Sequence, residues 1–314
     1  MSLNNPIRVS AEIDGQTYTL ETGRFAKFAN GNVMMSCGDT MVLVNAIASS
    51  KEMDVDFLPL MVDYRERMSA SGKIPGGFLK RESRPSTKEI LVARLIDRPL
   101  RPLFPKSWRF DTQLIAWVMS AEPDIDPENI TATGASAALL ISDIPFAGPM
   151  SEVRIAKIDG TFKVNPTPEE LVTAEIDFSV AGTDESIMMV EGECNEISEE
   201  DFLEVLDFAH EKIKEFNNLQ KELLKLVNKE KREITEKEIP AEIYEAVESA
   251  ITDKTKVYVN TVTTKSERQE SRNLLRDEAV SIVEAKFADN EEYAEKLTDY
   301  ANSFFSNFEN ELLA

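Results

Sequence analysis

The feature that most constrains this chain is a change of hydrophobic period near residue 198. Up to about residue 190 the apolar residues come in short runs broken by turn dipeptides. Arg8–Ile13 and Thr17–Leu20 flank Asp14-Gly15, and Val153–Ile158 and Thr161–Val164 flank Asp159-Gly160. Both read as β-hairpins, because Asp-Gly supplies the positive φ angles of a two-residue turn. Val33–Ser36 and Met41–Ala46 flank Cys37-Gly38-Asp39, and Ala174–Ala181 and Ser186–Glu191 make a further pair. Phe57–Tyr64 and Gln113–Ser120 are also strand candidates. After Ser198 the apolar residues Phe202, Leu206, Ala209, Ile213 and Phe216 step by three and four, the period of one helical face.

Two helices are predicted among the strands. One starts at Ser86, where Ser86-Thr-Lys-Glu89 can close a capping box, and runs over Ile90–Arg98 to a stop at Pro99 and Pro102. Its apolar residues lie almost all round, which predicts burial. The other covers Glu128–Ile141, with Gly134 allowing close approach of a neighbour. This order predicts an α/β fold with mixed sheets rather than a regular βαβ alternation. A charged connector, Lys229–Ile239, leads to Pro240 at a helix start. Two more helices are predicted beyond a short Lys256–Val262 stretch. Tyr293, Leu297, Tyr300, Phe304, Phe308 and Leu312 mark the face of the last. The expected domains are 1–230 and an all-helical 235–314.

Composition narrows the function classes. Apolar residues make up 42% and charged residues 29%, as in folded soluble proteins rather than disordered ones. No apolar run reaches the roughly 18 residues of a membrane helix. Cys37 and Cys194 lack CxxC spacing, which points to a reducing compartment and no metal cluster. The net charge of −22 disfavours general polyanion binding. Yet between Arg65 and Arg109 twelve basic residues face four acidic ones, so this window reverses the sign. Within it Gly76-Gly-Phe-Leu-Lys-Arg81 forms a glycine-hinged basic loop with an aromatic. Either salt bridges to acidic neighbours or a bound anion would explain the reversal.

Candidate sites are few. Arg94 and Arg98 lie four apart on the first helix, and Arg101 follows. Glu89 and Asp97 could pair with them structurally, or a phosphate or RNA backbone functionally. His210 is the one histidine, so no Ser-His-Asp or Cys-His system is available. Gly72–Gly77 lacks the order of a P-loop. Glu175 and Asp177 share a strand face, which reads as a metal dyad or as ordinary exposed acidic alternation.

Longer motifs carry a resemblance. Phe57-Leu-Pro-Leu-Met-Val-Asp-Tyr-Arg-Glu-Arg67, Gly72-Lys-Ile-Pro-Gly-Gly-Phe-Leu-Lys-Arg-Glu82 and Ala93-Arg-Leu-Ile-Asp-Arg-Pro-Leu-Arg-Pro-Leu-Phe-Pro105 closely resemble the bacterial polynucleotide phosphorylase family. Gly134-Ala-Ser-Ala-Ala-Leu139, Ser142-Asp-Ile-Pro-Phe-Ala-Gly-Pro149, Val180-Ala-Gly-Thr183 and Met189-Val-Glu191 extend the likeness over essentially the whole chain. The resemblance implies a ribonuclease PH-like core followed by an all-helical domain, as an N-terminal fragment lacking the family's second core and its KH and S1-type modules. The implied parent is a polyribonucleotide nucleotidyltransferase, a homotrimeric cytoplasmic exoribonuclease. It degrades RNA from the 3′ end with inorganic phosphate and Mg²⁺ and releases nucleoside diphosphates.

The same resemblance implies a vestigial active site in this half. Asp126-Pro127-Glu128 stands where the active core has a serine-rich phosphate cradle. Asp177 keeps one aspartate, but Leu171 and Ser179 replace the other aspartate and the lysine, and Thr87 and Lys88 replace an arginine pair. Arg94 and Arg98 align with family arginines. No catalytic residue, bound metal or cofactor is therefore expected here. Phe78, Lys80, Arg81 and Arg84 are the expected RNA-binding residues, at a loop usually Phe-Phe-Arg-Arg in the family. Arg94, Arg98 and Arg101 are candidate anion ligands. The alternatives are a non-catalytic RNA-binding or assembly module, and an autonomous ribonuclease PH-like enzyme.

Overall fold

The computed structural model describes residues 6–76, 81–227, 229–234, 240–288, 290 and 297–313. Two compact units, Met1–Ile234 and Thr235–Ala314, divide the chain.

Strand pairing in the first unit starts at the predicted turns. β1 (Ile7–Ile13) and β2 (Gln16–Thr22) pair across Asp14 and Gly15, both with positive φ, at 51° and 76°. β7 (Ser151–Ile158) and β8 (Thr161–Val164) repeat this across Asp159 and Gly160, at 49° and 74°. Positive φ at both central residues gives the turn a twist that matches the flanking strands. With β3 (Gly31–Cys37), β4 (Thr40–Glu52), β5 (Leu60–Arg65) and β6 (Phe110–Ser120), the first hairpin builds a six-stranded sheet of order β1-β2-β3-β4-β6-β5. Only the β5–β6 pair is parallel. β9 (Ile176–Gly182) and β10 (Ile187–Cys194) complete an antiparallel sheet of order β10-β9-β7-β8.

Helix α2 (Glu128–Leu140) packs against β3, β4 and β7 and is buried from Asn129 to its end. The fit is close. A Cβ at Gly134 would lie 3.2 Å from Val44 Cγ2, and one at Gly31 would lie 2.0 Å from the Ala138 carbonyl oxygen. α4 (Glu199–Leu226), N-capped by Ser198, packs on β1 and β7 through Val205, Ala209, Ile213, Phe216 and Leu223. A single turn, α3 (Pro168–Leu171), closes its own capping box with Thr167 and Glu170.

Three sequence expectations are corrected. α1 (Thr87–Leu100) forms the expected Ser86–Glu89 capping box but runs through Pro99, followed by a 3-10 turn over Arg101–Leu103. Proline removes one N–H in the last turn, and the turn absorbs that loss. α1 is also not buried all round. Val92, Ile96, Pro99 and Leu100 face inward, while Ile90 and Leu91 stay 50% and 55% exposed, because α1 covers β5 from one side only. The Lys256–Val262 stretch is mostly helical, because α5 (Ala241–Asn260) runs through it to Asn260 and the break before the next helix begins only at Thr261. Burial of Ile243, Val247 and Ile251 on one face outweighs the β-propensity of Val257, Tyr258 and Val259.

In the second unit α5, α6 (Lys265–Phe287) and α7 (Leu297–Leu313) enclose a core of Ile243, Val247, Ile251, Ala279, Val283, Ala301, Phe304 and Phe305. Thr264 and Glu267 form another capping box at the start of α6. Glu309 in α7 takes bonds from Arg272 and from the Tyr258 hydroxyl. Tyr293 lies outside the described residues.

Candidate nucleic-acid interface

The basic loop leaves β5 through a 3-10 turn, Met68–Ser71, ended by Gly72 at φ 67°. Its base is stitched from both sides. The Met68 backbone N–H donates to Glu82 Oε1 at 2.9 Å, and the Glu66 N–H donates to Glu89 Oε1 at 2.9 Å. Glu89 therefore caps its own helix and ties the exit of β5 to it. Between these stitches Lys73, Ile74, Arg81 and Arg84 are exposed, Ile74 at 90%. Phe78 and Lys80 lie outside the described residues. Arg67, at the loop's start, lies over the half-exposed Trp117 ring at 5.3 Å.

The three α1-region arginines meet different ends. Arg94 is exposed and makes no ion pair among the described residues. Arg98 is paired with Glu191 of β10. Arg101 is committed to the fold: it grips both oxygens of Asp97 and donates to the carbonyls of Leu58 and Leu60, at the start of strand β5. The structure thus gives Arg98 and Arg101 acidic partners and does not gather the three around one point.

Around the start of α2 the charges answer one another. Pro127 stands at the N-cap without a side-chain cap bond, and Glu128 opens the helix. Arg154 of β7 donates to Glu128 at 2.6 Å and grips Asp177 of β9 through Nε and Nη2, each at 2.7 Å. The β7–β9 register sets this up. Arg154 stands opposite Ser179 and Ala156 opposite Asp177, so Arg154 reaches Asp177 diagonally on the same face. Lys88 of α1 sits 3.3 Å from both Asp126 and Glu66. The bonds to Asp177, first of all, hold the Arg154 guanidinium charged. Burial and then Asp126 raise the Glu128 pKa. Glu152, 6% exposed beside this cluster, is pushed up to about 8, first by burial and then by Glu128.

This arrangement is poor at holding a phosphate. The one guanidinium at the α2 N-terminus already has two carboxylates, and further carboxylates face it. It is equally poor at holding Mg²⁺. Asp177 spends both oxygens on Arg154, and Glu175 stands before β9 rather than beside Asp177 on it. Among the described residues no group of three His, Cys, Asp or Glu side chains could hold a metal ion. His210 sits on α4 with Nε2 3.1 Å from the Thr183 carbonyl oxygen, a structural bond.

Comparison with known proteins decides the family. The 3′ exoribonuclease family matches in both its parts, domain 1 over residues 14–145 and domain 2 over residues 148–212. This chain belongs to the 3′ exoribonuclease family. A polyribonucleotide nucleotidyltransferase of Heliobacterium modesticaldum is 48% identical over 246 residues, 78% of this chain and 35% of the relative. One of Geotalea uraniireducens is 41% identical over 307 residues, 98% of this chain and 43% of the relative. The chain thus spans well under half the length of these relatives. Among solved structures, a chain titled archaeal exosome core aligns with a TM-score of 0.49 and 15% identity, covering 69% of this chain and 86% of that one.

For this 3′ exoribonuclease family member, sequence reasoning placed Asp126–Glu128 and Asp177 but missed Arg154 and Glu152. The missing signal was register. Arg154 alternates with the buried Val153 and Ile155 and reads locally as an exposed strand residue. Only the β7–β9 pairing brings it to Asp177.

Proposed function

We propose that this chain forms part of a polyribonucleotide nucleotidyltransferase, a phosphate-dependent 3′-to-5′ exoribonuclease, and serves RNA threading and ring assembly rather than catalysis. In this reading the parent is a cytoplasmic homotrimer that uses Mg²⁺. Its single-stranded RNA passes the loop of Phe78, Lys80, Arg81 and Arg84, with Arg94 and Arg98 close to the path. The observation that carries the non-catalytic role is Arg154, whose guanidinium is shared by Asp177 and Glu128 at the α2 N-terminus. A site that neutralises itself has no free cation for phosphate and no free aspartate for a metal.

The chain should therefore show no phosphorolysis of poly(A) in phosphate and Mg²⁺, while still binding the RNA. Release of nucleoside diphosphate, abolished by Asp177→Ala, would replace this reading with an autonomous ribonuclease PH-like enzyme. RNA binding unchanged by Lys80→Ala with Arg81→Ala would remove the loop from the proposal.

A further inference from the structure

In a chain of net charge −22, a run of Lys229-Glu-Lys-Arg232 after a long helix reads as a solvated linker. The structure turns it inward. Lys229 donates Nζ to the Asn30 carbonyl oxygen at 2.5 Å. Lys231 donates Nζ to three carbonyl oxygens, of Leu139 at 3.0 Å, Leu140 at 2.9 Å and Ser142 at 2.8 Å. Arg232 donates Nε to Asp143 at 2.8 Å and Nη1 to the Ser49 carbonyl at 2.6 Å, while its backbone N–H donates to the Asp143 carbonyl. Its guanidinium also lies 5.9 Å from the Trp108 ring and 5.7 Å from the Phe110 ring. Ile234 packs on the core.

The contacted groups come from four places far apart in sequence: the loop before β3, the end of β4, the turn after α2 and the entry to β6. Two features mark the join as built. The last carbonyls of a helix have no intrahelical donor and carry partial negative charge, and Lys231 supplies a cation to that end of α2. Asp143 also accepts from Asn30 Nδ2 at 2.9 Å, and Asn30 Oδ1 accepts from the Ala48 N–H at 2.9 Å. The join therefore extends from the connector through Asp143 and Asn30 to β4.

We propose that Lys229–Ile234 is a strap that closes this corner of the first unit, is fastened by Asp143, and opens as one piece when that carboxylate is neutralised. The groups facing Asp143 are Arg232 and Asn30, and those acting on Lys231 are Asp143 and Lys229. Burial works against the Asp143 carboxylate, but Arg232 and Asn30 outweigh it and hold its pKa below the ordinary value. A depressed carboxylate pKa makes the fastening complete at neutral pH and loses it as pH falls through that value. Burial pushes Lys231 down to about 8, against the pull of Asp143 and with Lys229 adding to it. Its titration lies on the alkaline side and does not drive acid opening.

The test uses trypsin, which cuts after Lys229, Lys231 and Arg232 only when that backbone is released. The full chain and Asp143→Asn, which keeps all three cleavage points, are digested at neutral pH and the products followed by mass spectrometry. Cleavage at the three points should be at least about tenfold faster in Asp143→Asn, with protection of residues 81–227 unchanged. Equal rates in the two proteins overturn the proposal. If Asp143→Asn loses protection throughout the first unit, Lys231→Met decides, since it keeps Asp143 and two of the cleavage points. The same selective tenfold gain supports the strap. Equal rates, or loss of protection throughout the unit in this variant too, overturn it as a separately opening piece.

Discussion

At the scale of single residues, Glu152 is a buried acid on β7, 6% exposed. Its folded pKa near 8 lies above its ordinary value, so the folded state binds this proton more tightly than the unfolded chain. Stability from that proton is fully present below the ordinary carboxylate range and is lost as pH rises through about 8. Thermal unfolding from pH 5 to 8 should therefore show a falling midpoint in the wild type. The Glu152→Gln variant should fall less steeply over the same range. Parallel slopes would mean that Glu152 is not the group responsible. Arg154 shows the opposite case, a partly buried charge. Its cost is offset by two carboxylates in good geometry, and it would become expensive only if one of them were lost.

At the scale of elements, the first unit depends on how closely β3 approaches α2. The Gly31→Ala variant would place a methyl carbon 2.0 Å from the Ala138 carbonyl oxygen, a backbone atom inside a buried helix. Relief requires moving the strand or the helix, so chemical denaturation should show a loss of at least about 2 kcal/mol. A smaller loss would mean that the β3–α2 contact adapts more readily than a packed interior does. The elements themselves were largely legible in sequence. Asp14-Gly15 and Asp159-Gly160 announced their hairpins, and Ser86 and Ser198 announced their helix starts, because those signals are local. What was illegible depends on distant partners. Arg154 finds Asp177 only through strand register, and Lys231 finds the end of α2 only once the chain has folded back. The exposure of Ile90 and Leu91 was hidden for the same reason. An apolar helix reports that it wants cover, and says nothing of how many sides receive it.

At the scale of the whole molecule, a strongly acidic chain carries one basic region, with Lys73, Arg81, Arg84 and Arg94 exposed in it. Binding of single-stranded RNA there should be governed by counterion release. For about four phosphate contacts, raising monovalent salt from about 50 to 200 mM should weaken binding roughly 50-fold. A fluorescence-anisotropy titration with oligo(A) at several salt concentrations measures the slope. A flat response would show that charge in this region does not hold the RNA. If the proposed RNA role is right, the acidic remainder of the chain adds to it, because acidic surface repels polyanions and favours encounter at the exposed basic residues.

The Arg154 bridge has a consequence for how this unit responds to its surroundings. Proteins with an open anion site gain stability as the anion accumulates and lose it when the anion is scarce. Here the carboxylates of Asp177 and Glu128 are covalently part of the chain, so their effective concentration never changes. On the function proposed above, the unit's stability is insulated from the supply of phosphate. On that reading its shape does not follow whether phosphate is scarce or plentiful.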